Sequence, residues 1–316
     1  MCATCGCGGS AVVRLPGPAE PGTAEPSAGA GHGVQPHHDH GEQPHHDHGE
    51  QPRNDHGAGH GVQPHHDGSS HAGHPGHDEQ HRHDHPGNGH PHATDAADRT
   101  MLLQQKVLAK NDELAQHNRA WLRQRGILAV NMMSSPGSGK TTLLERTARD
   151  LAAELTLCVI EGDQETLLDA DRIRSAGCQV VQVNTGAGCH LDAAMVGEAL
   201  RALDPPVGSV VMIENVGNLV CPALFDLGEA ERVVLASVTE GADKPAKYPH
   251  MFRSAGLVLV SKNDLLPYVD FDPGRFAGAL TSVSPHAQTL PLSATTGDGM
   301  TSWYDWLRAR THAHAP

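Results

Sequence analysis

At 316 residues the chain is long enough for two domains, but composition divides it unevenly, and a formal charge of −14 with no basic stripe argues against nonspecific nucleic-acid binding. No run of about 18 apolar residues occurs, and no charged stretch followed by an apolar one opens the sequence, so membrane insertion is not expected and the chain reads as cytoplasmic. Seven cysteines in that compartment point to metal or catalytic use, not to a disulfide framework.

Three of those cysteines open the chain as Cys2-x-x-Cys5-Gly6-Cys7. Their glycine lets the backbone fold tightly round one ion, and with a further nitrogen or sulfur donor the set suits Ni²⁺ over Zn²⁺. Residues 8–98 follow as a tail that holds 19 of the 25 histidines. Within it QPHHDHGE at 35–42 recurs at 43–50 and decays to QPRNDHGA at 51–58. A period of eight is too short for a solenoid and offers no apolar position to stack, so the repeat displays metal ligands in quantity. Residues 1–98 also lack Lys and aromatic residues; they cannot offset a backbone entropy of roughly 1–2 kcal/mol per residue, and disorder without metal is expected.

The Leu-, Gln- and Ala-rich segment 99–126 reads as a leading helix bounded by Gly126. Apolar, β-branched runs then recur at 127–133, 155–160, 179–184, 209–213, 232–238, 257–260 and 289–292. Helical stretches at 140–151, 166–175, 191–203, 244–253, 273–280 and 301–310 alternate with them. That alternation over 127–316 predicts an α/β domain, a mostly parallel sheet covered by helices on both faces.

The first strand runs into Ser134-Ser135-Pro136-Gly137-Ser138-Gly139-Lys140-Thr141-Thr142. A strand, a glycine-rich turn and a helix N-terminus direct backbone N–H groups at phosphate oxygens, with Lys140 placed for the β- and γ-phosphates and Thr141 for Mg²⁺. Asp163 and Glu214 stand near the carboxyl ends of the second and fourth strands, where they are candidates to hold Mg²⁺ or its waters. Ser261-Lys262-Asn263-Asp264 resembles the guanine-reading N-K-x-D element, in which the Asp carboxylate accepts from guanine N1–H and the 2-amino group. Asp264 therefore favours GTP, although Ser261 cannot offer the two-sided hydrogen bonding of an amide. Ser293 and Ala294 follow the last strand and resemble the companion element whose backbone meets the base. No arginine finger or activated nucleophile is evident, so slow turnover is expected, resting on Lys140, Mg²⁺ and a water positioned by Asp163 or Gln164.

Cys189-His190 follows the third strand and Cys221 the fourth, on the same sheet edge as the phosphate loop. Two thiolates and an imidazole suit Zn²⁺ or Ni²⁺, but spacing alone leaves buried packing cysteines equally open. Cys158 and Cys178 read as core cysteines.

In order along the chain, CxxCGC, the His-rich linker, SSPGSGKTTLLE, EGDQET, GAGCHLD, ENVGNLVCP, TEGADKPAKYPHMF and SKNDLLPY resemble the HypB family of hydrogenase nickel-incorporation GTPases, of the SIMIBI class. The resemblance spans residues 1–7 and essentially all of 99–316. It implies a P-loop GTPase fold and a homodimer that hydrolyses GTP, works with the accessory protein HypA and delivers nickel to the large-subunit precursor of a [NiFe] hydrogenase. It also assigns Cys2, Cys5 and Cys7 to tight Ni²⁺ binding, and Cys189, His190 and Cys221 to Ni²⁺ or Zn²⁺ beside the nucleotide, with the His-rich tail as a nickel store. The competing expectations are an accessory GTPase for another nickel enzyme such as urease, and a nickel store with a vestigial GTPase.

Overall fold

The computed structural model describes the backbone of residues 12–14, 93–163, 168–186 and 188–314, and the side chains of 101–163, 170–186 and 188–314. Cys2, Cys5, Cys7, the histidine repeats and Gln164 lie outside these residues. A short strand, β1 (Val12–Arg14), falls within the stretch for which composition predicts no regular structure.

Helix α1 spans Ala93–Gln124, starting ahead of the expected position 99. Its end is a Schellman turn: Ile127 N–H donates to Leu122 O at 3.0 Å and Gly126 N–H to Arg123 O at 3.0 Å. Gly126 takes the left-handed conformation this turn requires, at φ 61°, and Leu122 packs in one apolar cluster with Ile127.

The domain then alternates β2 (Leu128–Ser134), α2 (Lys140–Leu151), β3 (Leu157–Asp163), α3 (Leu168–Ser175), β4 (Gln179–Asn184), α4 (Ala193–Leu203), β5 (Val210–Glu214) and β6 (Glu231–Ser237). It continues through α5 (Lys244–Lys247), α6 (Pro249–Arg253), β7 (Leu257–Ser261), α7 (Pro273–Val283), β8 (Gln288–Pro291) and α8 (Met300–His314). The single helix expected over 244–253 is broken into α5 and α6, because Pro249 has no N–H to continue the ladder.

The strands order as β1-β4-β3-β5-β2-β6-β7-β8, parallel throughout except for β1, which runs antiparallel along β4. From β2 the chain moves outward to β3 and β4, returns to β5, and then builds on the other side through β6 to β8. The reversal puts the carboxyl end of β2 at a topological switch point, where open α/β sheets bind ligands.

Side-chain alternation along the strands feeds two layers. Leu128, Val130, Met132, Val159, Met212, Leu235 and Leu259 pack with Leu143, Leu151, Ile173, Trp303 and Leu307 of α2, α3 and α8. On the other face Ala129, Ile160, Val211 and Ile213 pack with Leu122, Val196 and Leu200 of α1 and α4, while Met133, Val234 and Val258 pack with Phe252, Phe276 and Leu280 of α6 and α7. Asn131, which shares the face of Ala129 and Met133, is buried with a polar side chain. Cys158 is buried and Cys178 half-buried; burial, with Cys178 adding to it at Cys158, pushes both thiols up to about 11, as suits core cysteines.

Polar clamps fix α1 to the domain. Asn111 Nδ2 donates to Asp226 O at 2.8 Å, and its Oδ1 accepts from Ala193 N–H at 2.9 Å. Asn118 Nδ2 donates to Ala193 O and Leu227 O, at 2.8 and 3.0 Å. Arg119 Nη2 lies 2.6 and 2.7 Å from the two Asp226 oxygens. Burial raises the Asp226 carboxyl, but the Arg119 hydrogen bond, the Gly228 N–H and the Arg119 charge outweigh it and hold the group below the usual carboxylate range. A native carboxyl held low contributes stability that is present above its unfolded value, about pH 4, and lost as pH falls through the native one. Asp226→Asn is therefore expected to cost about 1–2 kcal/mol at neutral pH, the pair being partly exposed, and to flatten the acid limb of stability. Urea melts between pH 7 and pH 3 check this; parallel acid limbs in the two proteins would contradict it.

Candidate nucleotide and metal site

The turn between β2 and α2 needs left-handed backbone twice, at Gly137 (φ 72°) and Gly139 (φ 99°), the latter standing at the N-cap of α2. Lys140 is buried and its Nζ donates to Ser134 Oγ at 2.7 Å, so the ammonium is held at the end of β2, under the loop. Ser138 Oγ donates to Ser135 O at 2.8 Å, bracing the loop from within.

Above this turn lies a cavity of about 480 Å³, within the usual range for small-molecule sites. Its lining brings together most of the residues expected from sequence: Gly137, Ser138, Gly139, Lys140, Thr141, Thr142, Asp163, Glu214 and Lys262. Thr141 Oγ1 donates to Glu214 Oε1 at 2.8 Å, joining the loop hydroxyl to the end of β5. A hydroxyl and the carboxylates of Asp163 and Glu214 around one cavity are hard oxygen donors, a set that fits Mg²⁺. Asp264, Ser293 and Ala294 stand outside that lining. Asp264 lies on the 3₁₀ turn Asn263–Tyr268 directly after Lys262, and Asn263 N–H donates to Leu292 O at 3.2 Å, tying the two expected base elements to each other.

Ser261 explains its own departure from the usual pattern. Its hydroxyl donates to Ser138 O at 2.8 Å, and Lys262, in left-handed backbone at φ 59°, donates from Nζ to Gly137 O at 2.7 Å. Both side chains brace the phosphate loop. Further lining residues were not expected from sequence, among them Glu161 on β3, Arg172 on α3 and Asn215 after β5. Arg172 Nη2 lies 2.9 Å from Glu145 Oε2 and 3.5 Å from Thr142 Oγ1. Nothing in the sequence distinguishes it from other helical arginines, because its place depends on how α3 packs beside α2.

Cys189, His190 and Cys221 converge. One ligand atom from each lies within 4.8 Å of the others, with Cys189 Sγ 3.6 Å from His190 Nδ1. His190 is buried and stacks on Phe225 at a centroid separation of 3.9 Å. Burial lowers the imidazole below its ordinary range and so favours the neutral form a metal requires, while the Asp192 charge partly opposes it. Three ligands of this chemistry, two sulfurs and one nitrogen, leave a tetrahedral ion one position open.

The cavity and the cluster share a segment. Residues 214–221 run from Glu214, at Thr141, to Cys221, and Gly217 passes so close to the phosphate loop that an added Cβ would lie 3.0 Å from Pro136 Cα.

The nucleotide-binding domain family described as CobW/HypB/UreG matches residues 128–291. A hydrogenase maturation factor HypB from Rhizobium leguminosarum bv. viciae is 54% identical over 210 residues, covering 66% of this chain and 70% of that protein. The crystal structure of HypB from Archaeoglobus fulgidus superposes with a TM-score of 0.61 at 40% identity, covering 65% of this chain and all of that one. HypB from Helicobacter pylori, solved in complex with nickel, gives the same TM-score at 38% identity, covering 65% of this chain and 96% of that one.

Proposed function

The chain belongs to the HypB family of hydrogenase maturation factors, with a nucleotide-binding domain of the P-loop GTPase kind, and from that premise we propose that it hydrolyses GTP to control delivery of nickel to a hydrogenase precursor. The observation that supports this reading is the shared segment 214–221, which has a carboxylate lining the cavity at one end and a thiol of the Cys189, His190 and Cys221 cluster at the other.

In the hydrolytic step a water attacks the γ-phosphorus, and the bond to the β–γ bridging oxygen breaks to release GDP and phosphate. Lys140 and the backbone N–H groups of the Gly137–Thr142 turn would hold the phosphates, Asp163 or Gln164 would orient the water, and Asp264 would select guanine. Thr141 and Glu214 would hold Mg²⁺, which would supply charge neutralisation to the phosphates. Nickel is cargo: Cys189, His190 and Cys221 would hold it, Zn²⁺ being able to occupy the same donors, and hydrolysis would loosen that hold toward a partner. Homodimerisation, HypA and the hydrogenase large-subunit precursor are the proposed assembly. Cys2, Cys5 and Cys7 are proposed as a separate high-affinity nickel site and the histidine tail as a store. No helix among the described residues is long and apolar enough to cross a membrane.

Deleting residues 20–90, which leaves β1 and α1 in place and removes all but one of the tail histidines, tests the division of labour. Hydrogenase activity in cells is expected to fall only when nickel is scarce, whereas loss at every nickel level would make the tail, and not the GTPase, the working part.

A further inference from the structure

Two asparagines outside the expected site join its halves. Asn215, 1% exposed, follows Glu214 directly. Its Oδ1 accepts from Leu191 N–H at 3.1 Å and from Val216 N–H at 3.0 Å, and its Nδ2 donates to Asn131 Oδ1 at 3.3 Å. One amide thus holds the residue after His190, the loop after β5 and the strand that feeds the phosphate loop. Asn131 Nδ2 in turn donates to Glu229 Oε1 at 3.3 Å, and Glu229 is paired with Arg232 at 2.5 Å, so the amide orientations are fixed along a buried chain. Three residues on, Asn218 Oδ1 accepts from Val220 N–H at 2.9 Å, and its Nδ2 donates to Cys189 O at 3.3 Å. Between the two asparagines stands Gly217, pressed against Pro136.

From this we infer that Asn215 and Asn218 are positioning residues that carry the state of the phosphate cavity to the Cys189, His190 and Cys221 cluster. The physical reason is connectivity. The segment that meets the phosphate loop at Gly217 is tied to Leu191 through Asn215 and to Cys189 through Asn218, each link being a hydrogen bond from a buried or half-buried side chain, so a shift of the segment pulls on both. Two ligands sit directly beside those anchor points, and the third, Cys221, is on the moving segment itself. The inference rests on the proposed coupling of nucleotide to metal and assigns the residues that transmit it.

The test uses the full chain with Cys2, Cys5 and Cys7 replaced by Ser, so that thiolate-to-nickel absorption reports the inner site while a chelator buffers nickel. The quantity read is the ratio of nickel affinities in the GDP state and with a non-hydrolysable GTP analogue and Mg²⁺. In the Asn215→Ala and Asn218→Asp variants that ratio is expected to fall to within about twofold of one, from at least about fivefold in the parent. Asn218→Asp keeps the acceptor for Val220 but removes the donor to Cys189, so it decides the matter if the buried Asn215→Ala fails to fold. A parent-like ratio in a folded Asn218→Asp variant would overturn the inference alone, whereas a ratio of one in the parent would overturn the coupling reading beneath it.

Discussion

Lys140→Ala is expected to lower GTP turnover by about 10²–10³-fold, the range seen when one preorganised donor is removed from a transition state. Lys140 is 8% exposed and its ammonium is oriented by Ser134 Oγ at 2.7 Å, so its position is set before any nucleotide arrives. Among the described residues the other cations lining the cavity are engaged elsewhere: Lys262 donates to Gly137 O, and Arg172 to Glu145. Single-turnover hydrolysis measures the loss, and metal analysis of the same protein is expected to give the parent's total nickel capacity, which is proposed to reside mainly in the histidine tail. Equal loss of hydrolysis and of nickel capacity would contradict the reading of two separable modules.

Cys189→Ala and Cys221→Ala are each expected to weaken Ni²⁺ or Zn²⁺ binding at the inner site by more than about 100-fold. Losing even an outer hydrogen-bond partner of a metal ligand typically costs about 10–100-fold, and here one of three donors within 4.8 Å disappears altogether. Cys178→Ala supplies the control. Burial pushes the Cys178 thiol up to about 11, so it offers little thiolate at neutral pH, and inner-site affinity should not change with it. Competition titrations against a chelator, in chains already carrying Ser at 2, 5 and 7, measure both. Equal losses for Cys178 and Cys189 would mean that the cluster has no special role.

What was legible in the sequence and what was not divides along contact range. The phosphate loop is local: Gly137, Gly139, Lys140 and Thr141 act within one turn, so spacing alone placed them. The sheet was equally open to reading because parallel strands bury both faces and leave continuous apolar runs, β2 being buried at all seven positions. Cys189, His190 and Cys221 required more, since α4 and β5 intervene between the two halves of the cluster and only the strand order puts those loops side by side. Ser261 reads from sequence as a departure from the base-reading element, because its partner, Ser138 O, lies on a loop 123 residues away. Asn215 and Asn218 gave no signal, because asparagine after a strand is ordinary turn chemistry and its partners, Leu191 N–H and Cys189 O, are backbone atoms that no sequence pattern names. The break between α5 and α6 is legible in Pro249, although the composition of 244–253 is helical on both sides of it.

Nucleotide and nickel are proposed to sense each other through residues 214–221. The most direct measurement is the nickel affinity of the inner site in the full chain with Cys2, Cys5 and Cys7 replaced by Ser, taken once with GDP and once with a non-hydrolysable GTP analogue and Mg²⁺. A difference of about fivefold or more between the two states is predicted, matched by the same factor in the preference for the GTP analogue over GDP when nickel is the variable. Identical nickel affinities in the two states would contradict the claim.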